Sequence, residues 1–251
     1  MNAFLSTRGL KLALETSSYA FLESRHYEFG EVLANNVLAP GLYGYINPKN
    51  CRWFLNNRNH RIFYRVDGQY ARFILNLLVP LGSGRRPPQA FDFSSMAPAA
   101  FDCFAKSGLS IGVVGAEGEE LRRFCKIVSE RFQDLNLLPI CDGYESKEAI
   151  LSAIKDRPAC DIYLLSCGSL KQEQLGLRIL QAHNKPVFTC GAFVGQTARS
   201  GGQRYYPGWI QRSNLRWAYR FIQEPHVIYR VGRYYPRFLI DVIRVYFGHQ
   251  R

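Results

Sequence analysis

The residues best equipped for chemistry lie in one short stretch, residues 161–173, with the sequence DIYLLSCGSLKQE. Its apolar run, residues 162–165, predicts a buried strand of a parallel sheet. The polar residues that follow predict a turn into a helix that begins near Lys171. Ligands of open α/β sheets bind where such turns leave the carboxyl ends of the strands. This stretch is therefore a candidate ligand site.

Four residues of the turn have suitable chemistry. Gly168 permits close approach of the backbone, Lys171 supplies a cation, and Gln172 and Glu173 supply an amide and a carboxylate. The free N–H groups of a helix start favour an anion. These groups suit a phosphorylated or sugar-like ligand, although a glycine and a lysine are also common in ordinary strand-to-helix turns.

Strand-like runs alternate with helical patterns through the middle of the chain, which predicts an α/β fold. The other predicted strands span residues 61–66, 111–115, 137–140 and 186–190. We expect a Rossmann-like parallel sheet flanked by helices over residues 1–198. A basic helical appendage is expected over residues 199–251.

A carboxylate follows one of these strands. Asp67 lies directly after the predicted strand 61–66 and before Gly68. At the carboxyl end of a parallel strand, such a side chain points into the ligand crevice. Because an Asp-Gly pair is also common in simple turns, a purely structural role stays open.

The strand at 111–115 ends in Gly115 and leads into a helix, an arrangement found in dinucleotide sites. The glycine fingerprint of those sites is incomplete here, and Glu117, Glu119 and Glu120 crowd the helix start where a pyrophosphate would lie. A nicotinamide-dependent oxidoreductase is therefore disfavoured but stays open as an alternative.

Composition narrows the class of protein. The 251 residues, 47% of them apolar, can form a full core. No apolar run approaches the ~18 residues of a membrane-spanning helix, and the amino terminus does not resemble a secretory signal. The seven cysteines show no metal-binding spacing, which indicates reduced core thiols and no metal site. A cytoplasmic protein is expected.

The formal net charge of +12 is concentrated near the carboxyl end, where every Lys or Arg is an arginine. Arg212, Arg216 and Arg220 form one stripe of a helix predicted over residues 209–223. This excess indicates an anionic partner: a diphosphate, an anionic membrane surface or nucleic acid. A nucleic-acid-binding module therefore stays open. The last helix, predicted to have about a dozen residues, suits either a membrane surface or the protein core.

Several segments, taken in order, resemble the WecG/TagA/CpsF family of bacterial glycosyltransferases, glycosyltransferase family 26. Besides the stretch at 161–173, these segments are IGVVGAEGEELRRFCKIVSERF, ICDGYESKEAI, CGAF, YYPGWIQRSNLRWAYR and EPHVIYR. The resemblance covers residues 46–233 and rests on the ordered set.

The resemblance implies roles for the candidate residues. Asp67 would be the general base, and Asn47 would help to hold the nucleotide sugar. Arg86 would contact substrate, and Gly115 would line the nucleotide pocket. The Lys-Gln-Glu run at 171–173 would position the nucleotide or the sugar.

The same resemblance implies two further groups of substrate-binding residues. Many members have an acidic residue where this chain has Val194, so Gln196 or Thr197 is expected to replace that contact. Three arginines of the appendage are expected to close over the diphosphate. They are Arg216, Arg220 and Arg230.

The activity implied is inverting transfer of a hexose or N-acetylhexosamine from a UDP-sugar to an undecaprenyl-diphosphate-linked saccharide, in the synthesis of bacterial surface polysaccharide. The UDP-sugar is a substrate, and neither a cofactor nor a metal ion is expected. The other expected partners are the polyprenyl-diphosphate-linked acceptor and an anionic membrane surface, without nucleic acid. A homo-oligomer is left open. The expected location is peripheral, at the inner face of the bacterial plasma membrane.

Overall fold

The computed structural model describes residues 18–25, 27, 38–78, 90–202 and 226–249. The helix predicted over residues 209–223 lies outside these ranges. The division of the chain at residue 198 stays a prediction.

Six strands form one sheet. They are β1 (Leu42–Ile46), β2 (Ile62–Val66), β3 (Ser110–Gly115), β4 (Asn136–Cys141), β5 (Ile162–Ser166) and β6 (Val187–Thr189). Their order across the sheet is β2-β1-β6-β5-β3-β4, and every neighbouring pair is parallel. All six carboxyl ends therefore meet at one edge. The predicted Rossmann-like parallel sheet is confirmed.

Helices cover both faces of this sheet. They are α1 (Ser18–Ser24), α2 (Cys51–Asn56), α3 (Gln69–Leu78), α4 (Ala97–Lys106), α5 (Gly118–Arg131), α6 (Lys147–Lys155), α7 (Lys171–His183), α8 (Phe193–Ser200) and α9 (His226–His249). The apolar cluster on one face includes residues of α1, α2, α3, α6, α7 and α9. The cluster on the other face includes residues of α4, α5 and α8.

The strands are apolar because they contact helices on both sides. All five residues of β5 are buried, as expected for a central parallel strand. In β1, Leu42 and Ile46 pack into one cluster, whereas Tyr43 packs into the other, stacked on Phe188 with ring centroids 4.8 Å apart. This alternation fixes the register of the strand, since a shift by one residue would exchange the two faces.

The connections reverse direction between β3 and β5. The chain leaves β3 through α5 towards β4, whereas it leaves β5 through α7 towards β6. These two helices lie on opposite faces of the sheet. Such a reversal opens a crevice at the carboxyl edge, where ligands of this fold class bind.

The carboxyl-terminal helix α9 has 24 residues, so the prediction of about a dozen was wrong. The helix continues through Pro236, which is exposed. Its inner face buries Phe238 and Val242 fully. Asp241 pairs with Arg52 of α2 at 2.6 Å. Among the described residues, no helix is long and apolar enough to cross a bilayer.

Candidate active site

The turns after β1 and β5 meet at the carboxyl edge of the sheet. Asn47, the residue after β1, donates from Nδ2 to Oγ of Ser169 at 3.3 Å. Its Oδ1 accepts the backbone N–H of Lys49 at 2.9 Å, which orients the amide. Because β6 lies between β1 and β5, this contact crosses the end of β6 and forms one rim of the crevice.

Asp67 lies beside Asn47 on the neighbouring strand. Its backbone N–H donates to the carbonyl of Ile46 at 2.8 Å, which extends the β1–β2 ladder by one residue. Gly68 then turns the chain with φ +86°, a conformation that favours glycine. The Asp67 side chain is exposed, and its carboxylate makes no hydrogen bond or ion pair within the described part of the chain. It is open to a substrate that enters from solvent.

The carboxylate of Glu173 has the opposite surroundings, because this residue is fully buried at the start of α7. Its Oε1 accepts hydrogen bonds from Asn50 Nδ2 and Gln172 Nε2, each at 3.0 Å. Its Oε2 accepts the backbone N–H of Leu170. Gln172 in turn accepts the N–H of Gly191 at Oε1, at 3.2 Å. We call Asn50, Gln172 and Glu173 the buried network; it joins the turns after β1, β5 and β6.

Burial sets the protonation behaviour of this network. It raises the pKa of Glu173, and the hydrogen bonds from Gln172, Leu170 and Asn50 offset part of that effect. A buried carboxylate that accepts several donors stabilises the turns that supply them. Gln172 and Glu173 as ligand contacts stay predictions; the structure adds that their side chains bond to protein groups.

Lys171 is also bonded within the protein. Its Nζ donates to the carbonyl oxygen of Gly143 at 2.7 Å and to that of Glu145. Both acceptors lie in the turn after β4, so the ammonium connects this turn to the start of α7. The predicted contact of Lys171 with a phosphate is not tested by these distances.

The two candidate glycines have different surroundings. A Cβ at Gly115 would lie 2.5 Å from Cβ of Ser166, so this glycine allows β3 and β5 to approach closely at their ends. Gly168 has φ +80° and is exposed, and a Cβ there would meet no described atom within 4 Å. Gly168 therefore faces open space, as a ligand-facing turn requires.

The start of α5 already holds a carboxylate. The N–H of Gly118 donates to Oδ2 of Asp142 at 3.1 Å. Asp142 Oδ1 also accepts the N–H of Tyr144. Since the pyrophosphate of a dinucleotide would need this helix start, the contact argues against the oxidoreductase alternative.

Gln196 lies on α8 and is half-buried. It lines a shallow pocket together with Asp92, Phe93, Ser94, Phe193, Thr197 and Ser200. The Asp92 carboxylate accepts hydrogen bonds from the backbone N–H and the hydroxyl of Ser94. Gln196 and Thr197 thus lie near an acidic side chain, and their contact with a sugar stays a prediction.

The remaining predicted residues are basic. Arg86, Arg216 and Arg220 lie outside the described residues, and Arg230 lies in α9 with its side chain outside the description. Among the described residues, no group of three or more His, Cys, Asp and Glu side chains could hold a metal ion.

Two residues of this edge, Asn50 and Ser169, are absent from the sequence prediction. Asn50 directly precedes α2 and donates to the carbonyl oxygen of Tyr45 at 2.8 Å as well as to Glu173. A second asparagine three residues after Asn47, just before a helix, was a signal that could have identified it.

Comparison with known proteins agrees with this architecture. The family model described as "Glycosyl transferase WecG/TagA/CpsF family" matches residues 39–251. The UDP-Gal:alpha-D-GlcNAc-diphosphoundecaprenol beta-1,4-galactosyltransferase of Shigella boydii is 28% identical over 218 residues, which cover 84% of this chain and 89% of that protein. Because the family match includes all six strands and α9, the chain belongs to the WecG/TagA/CpsF family of glycosyltransferases.

Proposed function

We propose that this glycosyltransferase moves a hexose or N-acetylhexosamine from a UDP-sugar to a hydroxyl of an undecaprenyl-diphosphate-linked saccharide, with inversion. The name of the Shigella boydii relative specifies a UDP-galactose donor and a GlcNAc-diphosphoundecaprenol acceptor. The observation that carries the proposal is the open carboxylate of Asp67 at the ligand edge of the sheet. The product would enter synthesis of a bacterial surface polysaccharide.

Asp67 acts as the general base in this proposal. The acceptor hydroxyl oxygen attacks the anomeric carbon while its proton passes to the Asp67 carboxylate. The bond between the anomeric carbon and the phosphate oxygen breaks, and UDP leaves on the opposite face, which inverts the configuration. Asn47, which lies beside Asp67, holds the donor in this proposal.

Charge on the departing UDP needs hydrogen-bond donors. The arginines of the appendage, Arg216, Arg220 and Arg230, supply cations suited to a diphosphate, and the turn at Gly168 leaves room beside the start of α7. The buried network keeps the turns after β1, β5 and β6 in fixed positions around the substrate. These roles require no metal ion or cofactor.

Because the proposed acceptor is linked to a lipid, the enzyme would meet it at a membrane surface. We place the protein peripherally, at the inner face of the bacterial plasma membrane. The exposed face of α9 supports this, since Arg233, Arg237 and Arg244 lie there together with apolar side chains. The basic charge is thereby assigned to lipid and diphosphate and not to nucleic acid.

The test is transfer of radiolabelled sugar from a panel of UDP-sugars, UDP-galactose first, to a GlcNAc-diphospholipid acceptor. Asp67→Asn should reduce transfer at least ~100-fold, since a general base contributes about that much or more. The matched control is Asp134→Asn, which removes an exposed carboxylate at the opposite edge, before β4. Thermal unfolding of each variant shows that it is folded.

Two results would contradict parts of the proposal. If the wild type transfers sugar from no donor in the panel, the proposed reaction is wrong. If Asp67→Asn transfers as fast as the wild type, the base is another carboxylate, and Asp92 beside Gln196 is the first to replace.

A further inference from the structure

The exposed apolar side chains concentrate on two adjoining helices. Of the eight large hydrophobic residues exposed in the described structure, seven lie on α3 or α9. These seven are Tyr70, Phe73, Leu77, Tyr229, Ile240, Ile243 and Phe247. The eighth, Tyr144, lies at the far side of the sheet, after β4. Such a concentration marks an interaction surface, whereas single exposed residues do not.

Helix α3 carries apolar side chains on both its inner and its outer side. Ala71, Ile74 and Leu75 pack into the core, whereas Phe73 and Leu77 are 61% and 63% exposed. Phe73 and Leu77 are four residues apart and therefore project from the same face. A helix that meets only water on its outer side carries polar residues there. Two large apolar side chains thus lie beside an exposed asparagine on the outer side of α3, and such a pair favours an apolar partner.

Helix α9 lies beside α3. Tyr70 of α3 stacks on Tyr235 of α9, with ring centroids 4.5 Å apart. Phe238 and Val242 hold the inner side of α9 in the core, which directs Ile240 and Phe247 outwards. We call the outer sides of α3 and α9 the two-helix face.

The positive charge on the two-helix face indicates an anionic partner. Arg233, Arg237 and Arg244 are exposed on α9. The sequences of the two helices contain a single acidic residue, Asp241, and its side chain is only 13% exposed and bonded to Arg52. Apolar side chains flanked by arginines, without exposed carboxylates, fit the headgroups and outer acyl chains of an anionic bilayer.

We propose that α3 is a lipid-contact helix, which inserts Phe73 and Leu77 into an anionic bilayer beside α9. The lipid contact itself is independent of the proposed function, but its effect on Asp67 rests on that function. Asp67 is two residues before the first residue of α3, and the carbonyl of Gly68 accepts the N–H of Arg72 at 3.2 Å in its first turn. Insertion of α3 therefore holds the candidate base at the bilayer surface, where a polyprenyl diphosphate presents its saccharide.

Flotation with vesicles tests the lipid contact. The vesicles contain phosphatidylcholine and phosphatidylglycerol, or phosphatidylcholine alone, and neither acceptor nor UDP-sugar is present. The variant Phe73→Ser/Leu77→Ser should bind the anionic vesicles at least ~10-fold more weakly than the wild type, because two inserted apolar groups are lost. Tyr144→Ser, which replaces a more exposed aromatic outside the face, should change binding less than about twofold.

Quenching by brominated lipids adds a measurement that does not depend on loss of binding. Phe73→Trp should gain tryptophan fluorescence that brominated acyl chains quench. Tyr144→Trp, the control, should gain fluorescence that they do not quench. Unequal quenching of this kind places α3, and not only α9, in contact with lipid.

Several outcomes would overturn the inference. It is wrong if the wild type does not float with anionic vesicles, or if Phe73→Ser/Leu77→Ser binds as well as the wild type while Ile240→Ser/Phe247→Ser does not. If Phe73→Ser/Leu77→Ser converts a dimer to a monomer in solution and binds lipid as the wild type does, α3 contacts a second copy of the chain and the inference is wrong. A wild type that floats but transfers no sugar would contradict the proposed function and leave this inference intact.

Discussion

The turns after β2 and β5 lie at the same edge of the sheet, yet their carboxylates differ in burial and in hydrogen bonding. Asp67 after β2 is exposed, and its carboxylate has no hydrogen bond or ion pair within the described residues. Glu173 after β5 is fully buried and accepts hydrogen bonds from three other residues. The Asp67 carboxylate is accessible to a substrate, whereas the Glu173 carboxylate is bonded to protein groups.

This difference separates two kinds of site residue. An open group such as Asp67 can exchange a proton with a substrate, whereas a group bonded as Glu173 is positions the turns that supply its donors. Replacement of the first should affect catalysis with little change in stability. Replacement of the second should affect stability first, and activity through the geometry of the crevice.

The largest effect on stability is expected at Glu173. Glu173→Ala leaves the amide donors of Asn50 and Gln172 and the N–H of Leu170 unpaired in the interior, so unfolding should cost about 3 kcal/mol less. Urea unfolding at neutral pH measures this change. Glu130→Ala on α5 removes an exposed carboxylate and serves as the control.

A loss of less than about 1 kcal/mol in Glu173→Ala would contradict this prediction, because such a small loss is typical of a solvated side chain. Glu173 would then be as available as Asp67. A loss in the expected range together with an unchanged stability of Asp67→Asn would sharpen the contrast between the two turns.

A smaller effect is expected at Lys171. Lys171→Met keeps the length of the side chain and removes its hydrogen bonds to the carbonyls of Gly143 and Glu145, which should reduce stability by about 1 kcal/mol. If the ammonium acts only within the protein, KM for the UDP-sugar should change less than about threefold. Lys155→Met, on the exposed end of α6, is the control.

The opposite result at Lys171 would also be informative. A rise in KM of about tenfold or more with unchanged stability would show that the cation binds the nucleotide, as the sequence predicts. The start of α7 would then combine a ligand-binding cation with a structural carboxylate.

The smallest effect is expected at Asp161, a carboxylate of intermediate character at the opposite edge of the sheet. Hydrogen bonds from Ser110, together with Lys185, hold its pKa below the usual range, although the side chain is 43% exposed. With solvent screening, these contacts should stabilise the protein by about 0.5 kcal/mol above the unfolded pKa of about 3.9. The contribution is lost as pH falls through the lowered folded pKa.

Urea unfolding of Asp161→Asn and the wild type over a range of pH measures this contribution. The stability difference should be present at about pH 7 and shrink below the unfolded pKa of about 3.9, until pH has fallen through the lowered folded pKa. A difference that stays constant over this range would mean that the hydrogen bonds matter and the charge does not.

Local patterns predicted the fold well. The apolar run at 162–165 is part of β5, the predicted strand 61–66 is β2 within one residue, and the glycine turn at Gly115 does end β3. These features depend on neighbours in the chain, because alternation, turn residues and helix periodicity are all local. The position of Asp67 at the ligand edge follows from the same information, since all strands of a parallel sheet end on one side.

The sequence by itself therefore determined the parallel α/β architecture, the family resemblance and the carboxylate at the end of β2. Only the tertiary structure decided which polar groups the fold uses internally: Glu173 is bonded to Asn50, 123 residues away, and Lys171 to Gly143. It also decided that α9 packs on the core beside α3 and that large apolar side chains of both helices are exposed. The physical reason is that burial and hydrogen bonding depend on residues distant in the chain, which no local pattern records.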